Sequence, residues 1–145
     1  MLAGVWSGGP APAGSDSWGH LSRAEYLADQ IRQEGWLAYL RTAWMPGWYL
    51  GDPFRTYYPP LAVLVLSPLV YAVGDPFLAV RLFNSVLLVA LAGVTYGCLL
   101  TFSAPWPAGL GTLLSLVAPF QIRTVFLEGN FNRSLSLLAL PPIAA

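Results

Sequence analysis

The chain has 145 residues, 56% of them apolar and only 10% charged, where an average soluble domain carries about 25% charged residues. So few charges cannot cover the surface of a soluble enzyme of this size, and lipid is the simplest surrounding. Seven arginines balance seven acidic residues with no lysine, which leaves no basic patch for nucleic acid, and the single Cys98 excludes an intrachain disulfide or a cysteine-cluster metal site.

Residues 1–15 are rich in Gly, Pro, Ala and Ser and read as an irregular lead-in. They lack the basic and apolar regions of a signal peptide. Ser15 or Asp16 then offers an N-cap for a helix over about 16–34. Ser22 and Glu25 also have capping-box spacing and would start it later. On a helical wheel Leu21, Ala24, Leu27, Ala28 and Ile31 share one arc. Ser22, Glu25, Asp29, Arg32 and Gln33 share the opposite one. Such an amphipathic helix is too polar to span a bilayer. It suits the interface or the flank of a helix bundle.

Gly35 should end that helix. Aromatic residues then crowd residues 36–58: Trp36, Tyr39, Trp44, Trp48, Tyr49, Phe54, Tyr57 and Tyr58. They fit an interfacial belt, where an apolar ring and a polar tip are both satisfied. They also fit a stacking platform for a sugar or lipid head. Asp52 and Arg55 beside them read as solvated loop charges or as partners for a phosphate.

Residues 59–74 form a first lipid-soluble segment, short against the ~20 residues a spanning helix needs, with Pro68 inside it. Gly74, Asp75 and Pro76 predict a turn, with Asp75 capping the next helix. The clearest membrane helix covers 77–102, entered past Arg81 and Asn84. A Pro-Trp-Pro turn at 105–107 leads to a third segment over 106–122. Gly109 and Gly111 there suit close helix packing. A polar loop over 123–133 precedes a further apolar segment from 134. The chain stops inside that segment, which suggests a piece of something longer. The predicted fold is thus all-α: a polytopic membrane helical bundle whose extramembrane residues 1–58 carry the amphipathic helix. Arg81, Arg123 and Arg133 fall on one side of this arrangement, and Arg41 and Arg55 near the helix ends on the other. The charge rule therefore favours an exported 1–58 segment by one residue.

The candidate chemistry sits at the start of the amphipathic helix. Asp16 and His20 are one turn apart, Arg23 follows three residues later, and all three lie along one flank of the apolar arc. Asp16 and His20 could work as an acid/base pair, or Asp16 could hold a divalent metal. Equally, Asp16 could be a helix cap and His20 an interfacial histidine. Glu128 and Arg133 flank the second polar loop and could pair across it, or line a cavity between helices. No cofactor is implied beyond that metal.

Taken together, SDSWGHLSRAEYLADQIRQEGW, then WMPGWYLGDPFRTYYPPL, resembles a family of bacterial multi-pass membrane proteins called 6-pyruvoyl-tetrahydropterin synthase-related. These are similar to GT-C-type glycosyltransferases, and the name implies no pterin chemistry. The resemblance covers nearly the whole chain. It implies transfer of a sugar from a polyprenyl-phosphate donor at the outer face of the inner membrane. It also implies an exported first loop whose acidic residue is catalytic or binds metal. By position Asp16 would inherit that role, with His20 beside it as a second catalytic group. Arg23, Trp48, Tyr57, Tyr58, Glu128 and Arg133 would contact substrate. The family's R-G-x-x-x-E-like loop reads here from Glu128 to Arg133 with its charges exchanged, which would keep a structural link but no catalytic role. The family's first membrane helix has at most residues 2–6 as a remnant. The alternative is a non-enzymatic membrane protein, a transporter or an envelope assembly component, which would carry polar groups inside its spans. Asn84, Thr95, Thr112, Ser115 and Gln121 are the few available.

Overall fold

A computed structural model describes residues 15–42, 44–46, 60–122 and 135–138, with the side chains of 15–17 and 38 outside that description. The described residues form helices and turns, with no strand among them. The helices are α1 (Ser15–Glu34), α2 (Trp36–Arg41), α3 (Leu61–Val73), α4 (Pro76–Leu100), α5 (Pro105–Leu116) and α6 (Pro119–Ile122).

Helix α1 starts at the earlier of the two candidate positions. Ser22 lies inside it and donates its hydroxyl back to the carbonyl of Gly19 (3.2 Å) rather than capping. Gly35 ends the helix with φ +83°, the left-handed conformation that glycine adopts without a Cβ penalty. The apolar arc of Leu21, Ala24, Leu27, Ala28 and Ile31 is buried. Most of it joins Ala62, Val63, Leu66, Val70, Ala79, Val80, Phe83 and Leu87 in one core. The two alanines let the backbones of α1 and α3 approach closely. Leu135 and Leu138 pack against the same core from far along the chain.

The turn between α3 and α4 is built from its own residues. Gly74 caps α3 at φ +77° and donates its N–H to the carbonyl of Val70 (2.9 Å). Asp75 caps α4, its carboxylate accepting from the N–H groups of Phe77 (2.8 Å) and Leu78 (3.1 Å). Pro76 occupies the first helical position, where its missing N–H costs nothing. The result is a helical hairpin, and α1 lies against it.

Pro68 sits within α3 without breaking it. A proline cannot donate to the carbonyl four residues back, here that of Leu64. Tyr39, on α2, supplies the missing donor: its hydroxyl reaches the Leu64 carbonyl at 2.6 Å.

Of the apolar segments, the first two lie close to their sequence bounds, and the third differs. Among the described residues, α4 is the one helix long and apolar enough to cross a membrane. Helix α3 has 13 residues, about 20 Å at 1.5 Å per residue, short of a hydrocarbon core of about 30 Å. The segment expected over 106–122 is divided into α5 and α6. Pro119 is the cause: its ring disfavours helical backbone at the preceding residue and removes a donor to the carbonyl of Ser115. The all-α class holds among the described residues, with one helix of membrane-crossing length. Of the segment expected from 134, only 135–138 fall within the described residues. Gly111 does close on α4, since a Cβ there would meet Leu99 Cδ1 at 2.9 Å, whereas Gly109 faces open space.

Candidate functional site

The residues singled out from sequence divide into two groups. Trp48, Tyr57, Tyr58, Glu128 and Arg133 lie outside the described residues. Asp16 is in the first turn of α1, one turn before His20, and its side chain is likewise outside the description. His20 and Arg23 can be placed fully.

His20 is buried with 0% of its surface exposed, on the same side of α1 as Leu21 and Ala24. The wheel put it at the edge of the apolar arc, and the packing draws it inside. Arg23 is half-buried, and its guanidinium folds back along the helix over Gly19. A Cβ at Gly19 would lie 3.1 Å from Arg23 Nη1. The Arg23 charge is thus directed toward the N-terminal turn that carries Asp16. Among the described residues no group of three or more His, Cys, Asp or Glu could hold a metal ion.

The other end of α1 is fastened to the hairpin by polar and aromatic contacts. Arg32 pairs with Asp29 at 2.6 Å, donates to the carbonyl of Val70 at 3.3 Å, and lies 6.0 Å from the centre of the Tyr71 ring. Trp36 meets the rings of Tyr71 and Tyr39 edge-on at 5.4 and 5.9 Å. At the N-terminal end Trp18 meets Phe77 edge-on at 5.9 Å. Both ends of α1 are therefore tied to the hairpin. The polar residues at its start are held in register with the first turn of α4.

One polar group, read from sequence only at the entry of the membrane helix and among the few polar groups inside the spans, stands out in the structure. Asn84, in α4, is 1% exposed, and among the described residues neither its Oδ1 nor its Nδ2 has a hydrogen-bond partner. An unsatisfied buried amide costs about 1–3 kcal/mol, so its presence among Val80, Phe83, Leu87 and Leu91 calls for a reason. A lone amide in an apolar run is the signal that marks it. Tyr39 was missed except as one of many aromatics, although a mid-helix proline at 68 announces that some donor must reach Leu64.

No curated protein and no solved structure matches the chain. A family model, described as 6-pyruvoyl-tetrahydropterin synthase related domain and as a membrane protein, matches residues 55–144. The matched region takes in α3 to α6, which hold the apolar surface: Val86, Val89, Leu113, Leu114 and Val117 are all exposed. Large aliphatic side chains left outward on helices of this kind are what a lipid environment accommodates. On that match, the chain belongs to the 6-pyruvoyl-tetrahydropterin synthase related family of membrane proteins.

Proposed function

We propose that this is a polytopic inner-membrane protein of GT-C type. In this reading it transfers a sugar from a polyprenyl-phosphate donor at the outer face, with residues 1–58 extracytoplasmic. The observation that supports the reading is the seating of α1 on the hairpin, through Trp18 on Phe77 and Arg32 on Val70. That seating holds the helix start carrying Asp16 and Arg23 beside an apolar span. Asp16 takes the proton from an acceptor hydroxyl as its oxygen bonds to the anomeric carbon and the polyprenyl phosphate departs. Alternatively it would be one ligand of a divalent metal, whose charge would offset that of the phosphate. Arg23 faces the phosphate charge. His20, being wholly buried, acts as a positioning residue for this turn of α1. Trp48, Tyr57 and Tyr58 would stack on the sugar, and Glu128 and Arg133 would line the cavity.

The test is transfer by the purified protein in proteoliposomes supplied with a lipid-linked sugar. Asp16→Ala should abolish turnover, while Arg23→Gln should raise KM for the donor. Unchanged transfer by Asp16→Ala would remove the catalytic role. A second reading, a transporter without transferase activity, is favoured by Asn84. A polar group buried within a membrane-length helix often marks a substrate or ion path. Flux that survives Asp16→Ala but not Asn84→Leu would select it.

A further inference from the structure

The two ends of α4 carry aromatic side chains of a particular kind. At its start, Phe77 meets Trp18, and back along α3 the Tyr71 ring meets Trp36. All four rings are partly exposed. Just beyond its end, Phe102 is exposed and Trp106 has 80% of its surface free. Arg81 is the only charged residue in α4, one turn in from Phe77. From residue 82 to residue 100 the helix carries no charge, a rise of about 28 Å against a hydrocarbon core of about 30 Å. Its outward side chains in the middle are aliphatic: Val86 is exposed and Val89 is 73% exposed.

Aromatic ring, charge, a bilayer's thickness of uncharged helix, then aromatic ring again is an order that fits a membrane from one headgroup layer to the other. The polar groups follow the same order. Arg32 and Asp29 stand beside Tyr71. Thr101 and Ser103 fold their hydroxyls back onto the carbonyls of Cys98 and Leu99 just before Trp106.

We propose that Trp18, Trp36, Tyr71 and Phe77 form an anchor in the headgroup layer of one leaflet, and that Phe102 and Trp106 mark the opposite layer. The partner is the phospholipid headgroup region itself. The inference rests on α4 crossing the bilayer, as the proposed function requires. It goes further in fixing the depth of that helix and in laying α1 and α2 on one membrane face. Exposed Leu37, 55% free on α2 beside Trp36, then lies at the level of the headgroups with that ring. Ser22 and Glu25, exposed on α1, point to water.

The experiment uses the whole protein reconstituted in phosphatidylcholine–phosphatidylglycerol liposomes. Nitroxide labels are placed at single cysteines in a Cys98→Ala background: Leu37→Cys, Val89→Cys, Phe102→Cys and Glu25→Cys. Depth is read from collision with oxygen against collision with a water-soluble nickel chelate. Position 89 should be deepest, 37 and 102 at the level of the headgroups, and 25 fully aqueous. A water-exposed label at 89 would defeat the spanning reading itself. A deep label at 89 combined with a label at 37 that is either fully aqueous or as deep as 89 would leave the span standing and overturn the anchor.

Discussion

The hydroxyl of Tyr39 donates at 2.6 Å to the carbonyl of Leu64, the one acceptor in α3 that Pro68 leaves without its helical donor. One helix thereby repairs a defect in another, the two partners being 25 positions apart in the chain. The bond is part-buried, and a buried carbonyl left without a donor costs about 1–3 kcal/mol. The tie also sets α2 against the first half of α3 and so orients the aromatic cluster around Trp36.

This pairing predicts a non-additive double-mutant cycle. Tyr39→Phe should destabilise the protein by about 1–3 kcal/mol, the cost of an unsatisfied buried acceptor. In a Pro68→Ala background residue 68 regains an N–H for Leu64, and the same Tyr39→Phe change should cost well under half as much. Thermal denaturation of the four proteins in one detergent measures the coupling. Equal costs in both backgrounds would mean that Tyr39 acts by packing alone.

The turn at 74–75 should be sensitive to single substitutions. Asp75→Ala removes the acceptor for two N–H groups and should cost about 1 kcal/mol, with Asp75→Asn or Asp75→Ser recovering most of it. Gly74→Ala places a Cβ on a residue at φ +77° and should cost about 1 kcal/mol. Both read out as a lower midpoint in the same melts.

Asn84 should be a position where stability and function oppose one another. Asn84→Leu fills its site with apolar atoms and removes two polar ones that have no partner among the described residues, so stability should rise by about 1–3 kcal/mol. A fall in stability instead would show that the amide has a partner in the folded protein within its membrane.

Gly19→Ala should strengthen α1 while disturbing Arg23. Alanine is favoured over glycine in a helix interior by about 1 kcal/mol. The added methyl meets only the flexible tip of Arg23, at 3.1 Å. Increased helicity by circular dichroism is expected, together with a raised KM for the donor if Arg23 faces its phosphate. Wild-type KM alongside increased helicity would detach Arg23 from substrate binding.

Much of this architecture is visible in local patterns. The buried arc of α1 follows from its apolar spacing, because a helix must turn one stripe inward. Gly35, Gly74 and Asp75 announce their roles, because left-handed backbone and exposed helical N–H groups each admit few residue types. The uncharged length of α4 is written in its residues, with no charge from 82 to 100. Those features depend on neighbours within a few residues.

The burial of His20, the reach of Tyr39 to Leu64 and the isolation of Asn84 depend instead on which helix lies opposite. A wheel gives the angle of a side chain but not the surface it meets. His20 stood at the edge of the apolar arc, where either water or protein could have faced it. Pro68 required a donor without naming one. At Pro119 the Ser115 carbonyl accepts the N–H of Ala118 at 3.2 Å and the helix closes as a turn, leaving a 12-residue α5, whereas at Pro68 Tyr39 serves the carbonyl and α3 runs on. The difference is physical: a defect inside a helix is tolerated where another helix supplies the missing hydrogen bond, and the sequence of one segment does not contain the position of the next.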